Sequence, residues 1–120
     1  MKMEIKLEAV PLARPRINTA TKGRYLPARS QDFREQFQWL LLNEDQIAAP
    51  YKKPLKVELH FYKPTKTTVQ KYGDIDNLAK AVLDACNGIL WLDDSQIVEL
   101  HCYKHKGAGK IEMEVMENVD

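Results

Sequence analysis

The chain is short of several things, and each shortage narrows what it can be. No apolar run in its 120 residues approaches the roughly 20 needed to cross a bilayer. The opening MKMEIKLEAV alternates charged with apolar residues and does not read as a signal peptide. There are only two cysteines, Cys86 and Cys102, each in an apolar setting without CxxC or histidine spacing. They fit reduced core thiols of a cytoplasmic protein better than a disulfide or a metal site. His60, His101 and His105 also lack metal-ligand spacing. No repeat, low-complexity tract or linker interrupts residues 1–120, which read as one domain, long enough for its own core and short enough to gain from a partner subunit.

Net charge is also nearly lacking, at +1, yet the charges are segregated. Residues 1–72 hold 14 Lys and Arg against 7 Asp and Glu, whereas residues 73–120 hold 4 against 10. A chain divided in this way can set a basic surface beside an acidic pocket. Divalent cations in such a pocket would cancel its charge and leave the basic half to face a polyanion.

Along the chain, Met3, Ile5, Leu7 and Ala9 alternate with charged residues as a half-buried strand does. From Pro11 to Arg29, prolines, Gly23 and basic residues predict a long loop with a short hairpin near Gly23, of a length that is usually functional. Ser30 is a candidate N-cap for a helix that gathers Phe33, Phe37, Leu40 and Leu41 on one side. Leu55, Val57, Leu59 and Phe61 alternate as a second strand. Ile75, Leu78, Ala79, Val82, Leu83 and Cys86 keep the spacing of one helical face, and Asn87-Gly88 supplies the stop. Residues 97–103 and 110–116 alternate on either side of Lys106-Gly107-Ala108-Gly109 and read as a hairpin. The expected fold is α+β (mixed α/β): about four strands with two helices packed against them, in the order β-α-β-α-β-β. Trp39 and Trp91 are expected in the core or at a subunit contact.

The stretch GDIDNLAKAVLDACNGILWLDD, residues 73–94, surrounds one helix with carboxylates. Taken singly they have an ordinary explanation. Asp76 before Asn77 suits a helix start, and Asp93-Asp94-Ser95 suits a turn. Taken together they suggest chemistry. Side chains 74 and 76 of an extended lead-in point to one side, Lys80 stands one helical turn beyond Asp76, and Asp84 one turn beyond that. The run from Ile89 to Leu92 can bring Asp93 and Asp94 back toward the helix. Carboxylates so assembled call for a hard cation such as Mg²⁺, and the lysine suits a phosphate oxygen, as in metal-assisted phosphodiester hydrolysis.

The sequence Asp74-Ile75-Asp76-Asn77-Leu78 with Lys80, followed by Trp91-Leu92-Asp93-Asp94-Ser95-Gln96-Ile97-Val98, resembles the RusA family of Holliday junction resolvases, small endonucleases common in prophages. The resemblance extends more loosely over the whole chain. It implies a homodimer that binds four-way junction DNA and makes two symmetric nicks with Mg²⁺ or Mn²⁺, in recombination and repair. By the same resemblance Asp74, Asp76 and Asp94 match the family's metal-binding carboxylates and Lys80 its catalytic lysine. Asp93 matches the first of the aspartate pair, and Asp84 falls on a family aspartate, although an i,i+4 pair with Lys80 accounts for it equally well.

Arg14, Arg16, Lys22, Arg24 and Arg29 occupy the loop, and Lys63, Lys66 and Lys71 precede the acidic motif. As a set they stand where phosphate contacts would be wanted, while any one of them serves equally as a solvated charge. Two other readings stay open. A DxD phosphatase or nucleotidyl hydrolase is disfavoured because the aspartates follow Lys71-Tyr72-Gly73 and not an apolar core strand. A non-catalytic phage DNA-binding protein would use the same carboxylates as helix caps.

Overall fold

The computed structural model describes residues 1–11, 28–64 and 73–118, together with the backbone of 16–18 and 23–25. In chain order the elements are β1 (Lys2–Ile5), β2 (Arg16–Asn18), β3 (Gly23–Tyr25), α1 (Ala28–Leu42), β4 (Leu55–Lys63), α2 (Ile75–Cys86), a 3₁₀ turn (Asp94–Gln96), β5 (Ile97–Lys106) and β6 (Lys110–Glu117). Four strands form a mixed sheet in the order β1-β6-β4-β5, and β2 pairs with β3 in a separate hairpin. The α+β expectation holds, with that hairpin added near Gly23 where the turn residues cluster.

β4 shows why the sheet has two characters. Leu55, Val57, Leu59 and Phe61 are buried while Lys56, Glu58, His60 and Tyr62 are half-buried, as the period of two in a strand requires. Ile111, Met113 and Val115 of β6 and Met3 and Ile5 of β1 extend the buried face. Phe33, Phe37 and Leu41 of α1 and Leu78, Val82, Ala85 and Cys86 of α2 close over it in one contiguous core. Both helices therefore serve one face, and the other carries the polar half of each strand.

Two expectations require correction. Residues 97–106 and 110–117 are not a hairpin: β4 lies between them, parallel to β5 and antiparallel to β6. Alternation reports a buried face and is blind to the neighbour. The link from Lys106 to Lys110 crosses two strand spacings, about 9.6 Å, which four Cα–Cα steps of about 3.8 Å can reach. The Gly107 N–H donates to the Lys63 carbonyl at 2.7 Å, fastening this arch to the end of β4. Ser30 does not cap α1: the helix begins at Ala28, and Ser30 is buried in its first turn. Of the two places expected for Trp39, the core is not the one it takes: it is 66% exposed on α1.

Trp91 is fully buried, and its Nε1–H donates to Asn87 Oδ1 at 2.8 Å. Gly88, at φ +81°, turns the chain back, and its N–H donates to the Trp91 carbonyl at 2.7 Å. On the other side Tyr51 N–H donates to Leu90 O at 2.9 Å, and Leu92 N–H to Tyr51 O at 3.3 Å. The segment after α2 is thus held by one buried indole and two short backbone bridges.

Truncating Trp91 to Ala should cost about 3–5 kcal/mol of stability, read as a lower denaturant midpoint by circular dichroism. A loss under about 1 kcal/mol would mean that the indole is not the anchor described.

Candidate active site

Asp74 is the N-cap of α2, with extended backbone (φ −67°, ψ 136°), and its carboxylate makes no capping hydrogen bond. The helix is instead started by its backbone, the Leu78 N–H donating to Asp74 O at 3.0 Å. Asp76 stands in the first turn, exposed, where a negative charge suits the helix dipole. Its Oδ1 accepts from the Asn77 N–H at 2.9 Å. Ile75 between them is 36% exposed, so the start of α2 faces outward although its later turns are buried.

This outward start is also held from behind. Gly73 has φ +102°, a conformation that side chains rarely adopt, and a Cβ there would run into the ring of Pro11. The first proline of the basic loop therefore packs directly against the residue preceding Asp74. That contact between distant parts of the chain was not visible in either motif alone.

Lys80 joins the two halves of the acidic stretch. Its Nζ is 2.9 Å from Asp84 Oδ1 and 3.7 Å from Asp94 Oδ2. Both readings of Asp84 meet here: it makes the i,i+4 pair with Lys80, and that pair lies within the candidate site. The hydrogen bond to Asp84, supported by the charges of Asp84 and Asp94, raises the Lys80 ammonium above the usual lysine range. A lysine held as a cation serves as an electrostatic partner for phosphate oxygens and not as a base.

The adjacent aspartates Asp93 and Asp94 are used differently. Asp93 caps the 3₁₀ turn: its Oδ2 accepts from the Ser95 N–H at 3.0 Å, while Gln96 Oε1 accepts from the Asp93 N–H at 2.9 Å, a capping box. The Gln96 amide also donates to the Tyr51 and Lys53 carbonyls at 2.9 and 3.1 Å. Those bonds tie the turn to the segment before β4 and leave Asp94 on the side of Lys80. The hydrogen bonds from Ser95 hold the Asp93 carboxyl below the usual carboxylate range.

The donor set of Asp74, Asp76, Asp93 and Asp94 is all oxygen and suits a hard divalent cation. As the side chains are placed, no three His, Cys, Asp or Glu residues among the described residues are grouped so as to hold a metal ion. The structure thus brings Asp94 to Lys80, and Asp74 and Asp76 to one helix start, without gathering them into a single cage.

Of the basic residues, Arg14, Lys22, Lys66 and Lys71 lie outside the described residues, as do the side chains of Arg16 and Arg24, whose backbones form β2 and β3. Lys63 is buried at the end of β4, and desolvation lowers its pKa, opposed by Glu8 and reinforced by Arg29 and Lys104. Glu8 is beside Lys63 and Pro11 is against Gly73. The segment from Glu8 to Pro11 therefore links the end of β4 with the residue preceding α2.

The opposite sheet face is of another kind. It carries Glu58, Glu99, Glu112 and Glu114 and a ladder of rings in which His60 stacks on Tyr103 and His105, and His105 on Tyr62. His60 Nδ1 and His105 Nε2 are 2.7 Å apart, so one must donate to the other. Histidines without any sequence spacing are joined because β4 and β5 run parallel in register. A cavity of about 440 Å³ opens there, lined by Glu4, Glu58 and His60 among others, and it shares no residue with the carboxylate site.

Asp93 supplies a pH test. Because its folded pKa is depressed, its contribution to stability is complete above the ordinary carboxylate value of about 3.9 and is lost as pH falls through the lower folded value. The stability gap between the wild type and Asp93→Ala should therefore be constant near neutral pH and narrow as pH falls below the ordinary carboxylate range. Urea titrations at each pH would read it, and a gap independent of pH would remove the capping role.

Residues 6–116 match the family model described as Endodeoxyribonuclease RusA. The match takes in both halves of the acidic stretch and nearly all of the chain, which therefore belongs to the RusA family. No curated protein sequence matches the chain.

Proposed function

We propose that this RusA-family endodeoxyribonuclease resolves four-way DNA junctions by paired symmetric nicks that depend on Mg²⁺, with Mn²⁺ able to substitute, in recombination and repair. The observation that carries the reading is the 3.7 Å approach of Lys80 to Asp94, which links the two halves of the acidic stretch across the α2 surface. Asp74, Asp76 and Asp94 would hold the ion, which when bound supplies an activated water and charge neutralisation at the departing 3′ oxygen. Asp93 would act mainly by fixing Asp94, through the capped turn. Lys80, held cationic by Asp84, would meet a non-bridging phosphate oxygen as charge grows on it.

The glutamates of the helix-free face are paired with Lys2, Lys56 and Lys110, whereas Arg29 and Lys104 add positive charge around Lys63 at the end of β4. The basic loop begins at Pro11 against Gly73, and Arg14, Arg16, Lys22 and Arg24, with Lys66 and Lys71 ahead of α2, would grip phosphates there without reading sequence. A homodimer would match the two-fold symmetry of an opened junction. A second reading, a DNA-binding protein whose carboxylates only cap helices, is favoured by the Asp93 capping box and the absence of a metal-ready cluster among the described residues.

One experiment separates the readings. The protein is incubated with a synthetic four-way junction, a matching linear duplex and a phosphomonoester, with and without Mg²⁺. Paired nicks in the junction alone support the proposal, and binding without metal-dependent cleavage supports the second reading. Asp76→Asn should keep junction binding within a few-fold and reduce nicking by about 100-fold or more; unchanged nicking in Mg²⁺ would remove Asp76 from the site. Replacing Arg14, Arg16 and Arg24 by Ala together should weaken binding and flatten the log–log salt slope by about 2–3. An unaltered slope would take the loop off the DNA.

A further inference from the structure

Residues 8–11 follow β1 and pass the link between β5 and β6, the end of β4 and the start of α2. Ala9 is buried in the core, with Leu7 and Val10 packed against it. Glu8 runs so close to the β5–β6 link that a Cβ on Gly109 would stand 3.1 Å from the Glu8 Cβ and 3.7 Å from its Cα. Its charge also reaches Lys63 at the end of β4. Pro11 then comes to rest on Gly73, where a Cβ would overlap the ring Cγ and stand 3.2 Å from the ring Cβ. Both glycines thus leave room for one strap of chain, and the strap ends on the residue before Asp74.

What Pro11 touches decides how Asp74 is held. Asp94 is fixed by hydrogen bonds, through a capped 3₁₀ turn whose Gln96 amide binds the Leu92 and Asp93 N–H groups and the Tyr51 and Lys53 carbonyls. Asp74 has no such support: its carboxylate makes no capping bond, and it joins α2 through its carbonyl. The direction of its side chain is therefore set by the backbone arriving from Gly73. Glycine is the residue least able to fix a direction, because it samples φ of both signs, and Gly73 sits at φ +102°. Proline is the opposite, with φ locked by its ring. We propose that Pro11 is a positioning residue for the carboxylate site: its ring, seated on Gly73, confines that glycine to one conformation and so aims Asp74. The proposal rests on the nuclease reading for the role of Asp74 and on the Pro11–Gly73 contact for its geometry.

The test is a double-variant cycle on the full chain: Pro11→Gly, Gly73→Ala and the two together. Each is measured for Mn²⁺ affinity, by the paramagnetic resonance signal of the free ion, for nicking rate at saturating junction, and for thermal midpoint. Pro11→Gly should lower the nicking rate about tenfold and weaken Mn²⁺ binding several-fold. Gly73→Ala, whose Cβ meets the ring, should lower both further. Without the ring that Cβ has room, so the double variant should keep at least about tenfold more activity than the product of the single losses. The strain of an alanine at positive φ is common to both backgrounds and cancels in the comparison. Losses that multiply overturn the proposal. So does a Pro11→Gly variant altered only in its thermal midpoint, which marks a merely structural contact. If Gly73→Ala fails to fold, Pro11→Gly decides alone: weaker Mn²⁺ binding by a folded chain upholds the role, and unchanged affinity ends it. A wild type that binds Mn²⁺ without nicking junctions removes the nuclease reading and leaves the proposal to the cycle in Mn²⁺ affinity; one that does neither overturns both.

Discussion

The candidate site depends on the burial of one indole. Trp91 lies three residues before Asp94, and its ring fills the space between the end of α2, the Tyr51 segment and the sheet core. A buried tryptophan removes 150–250 Å² from water, and its polar nitrogen is satisfied at Asn87, so the position carries no unpaired donor. Everything downstream inherits this placement: the capped 3₁₀ turn, the direction of Asp94, and the start of β5. The acidic turn is therefore precise because an apolar contact fixes it, and the carboxylates need not hold one another.

The electrostatics follow a division of labour between neighbours. Asp93 turns its oxygens to backbone N–H groups and stabilises the turn, whereas Asp94 is left to face an ammonium group. On α2, Asp84 holds Lys80 in its charged form, and Lys80 in turn offsets the repulsion that Asp84 and Asp94 would otherwise exert on each other. Asp74 starts the helix through its carbonyl and keeps its carboxylate out of the cap. Negative charge is thus spread along α2 and the turn after it, partly compensated by the fixed cation Lys80.

How much of this could be read in the sequence follows from the range of each signal. The apolar stripe of α2 and the alternation of β4 are local, single-period patterns, and both elements appear where those patterns place them. The acidic stretch and its lysine were legible as a motif because their spacing is short. What was hidden is pairing over long range. Alternation in residues 97–106 and 110–117 cannot tell a hairpin from two strands divided by β4. The same parallel register joins His60 to His105, 45 residues apart, and no spacing rule covers it. Ser30 was misplaced because a capping residue type is also acceptable inside a first turn.

The arch over β4 also constrains the route by which the chain reaches its fold. The segments on either side of Gly107 are adjacent in sequence, both alternate, and only residues 107–109 separate them, so their direct pairing is the contact with the least loop entropy to overcome. In the finished sheet that pairing does not exist, since the central strand occupies the place between them. Early zippering of the two segments would have to be undone to admit β4, which makes the easiest local step a non-productive one. The Lys63–Gly107 bond can form only after residues 55–63 are seated between those two segments.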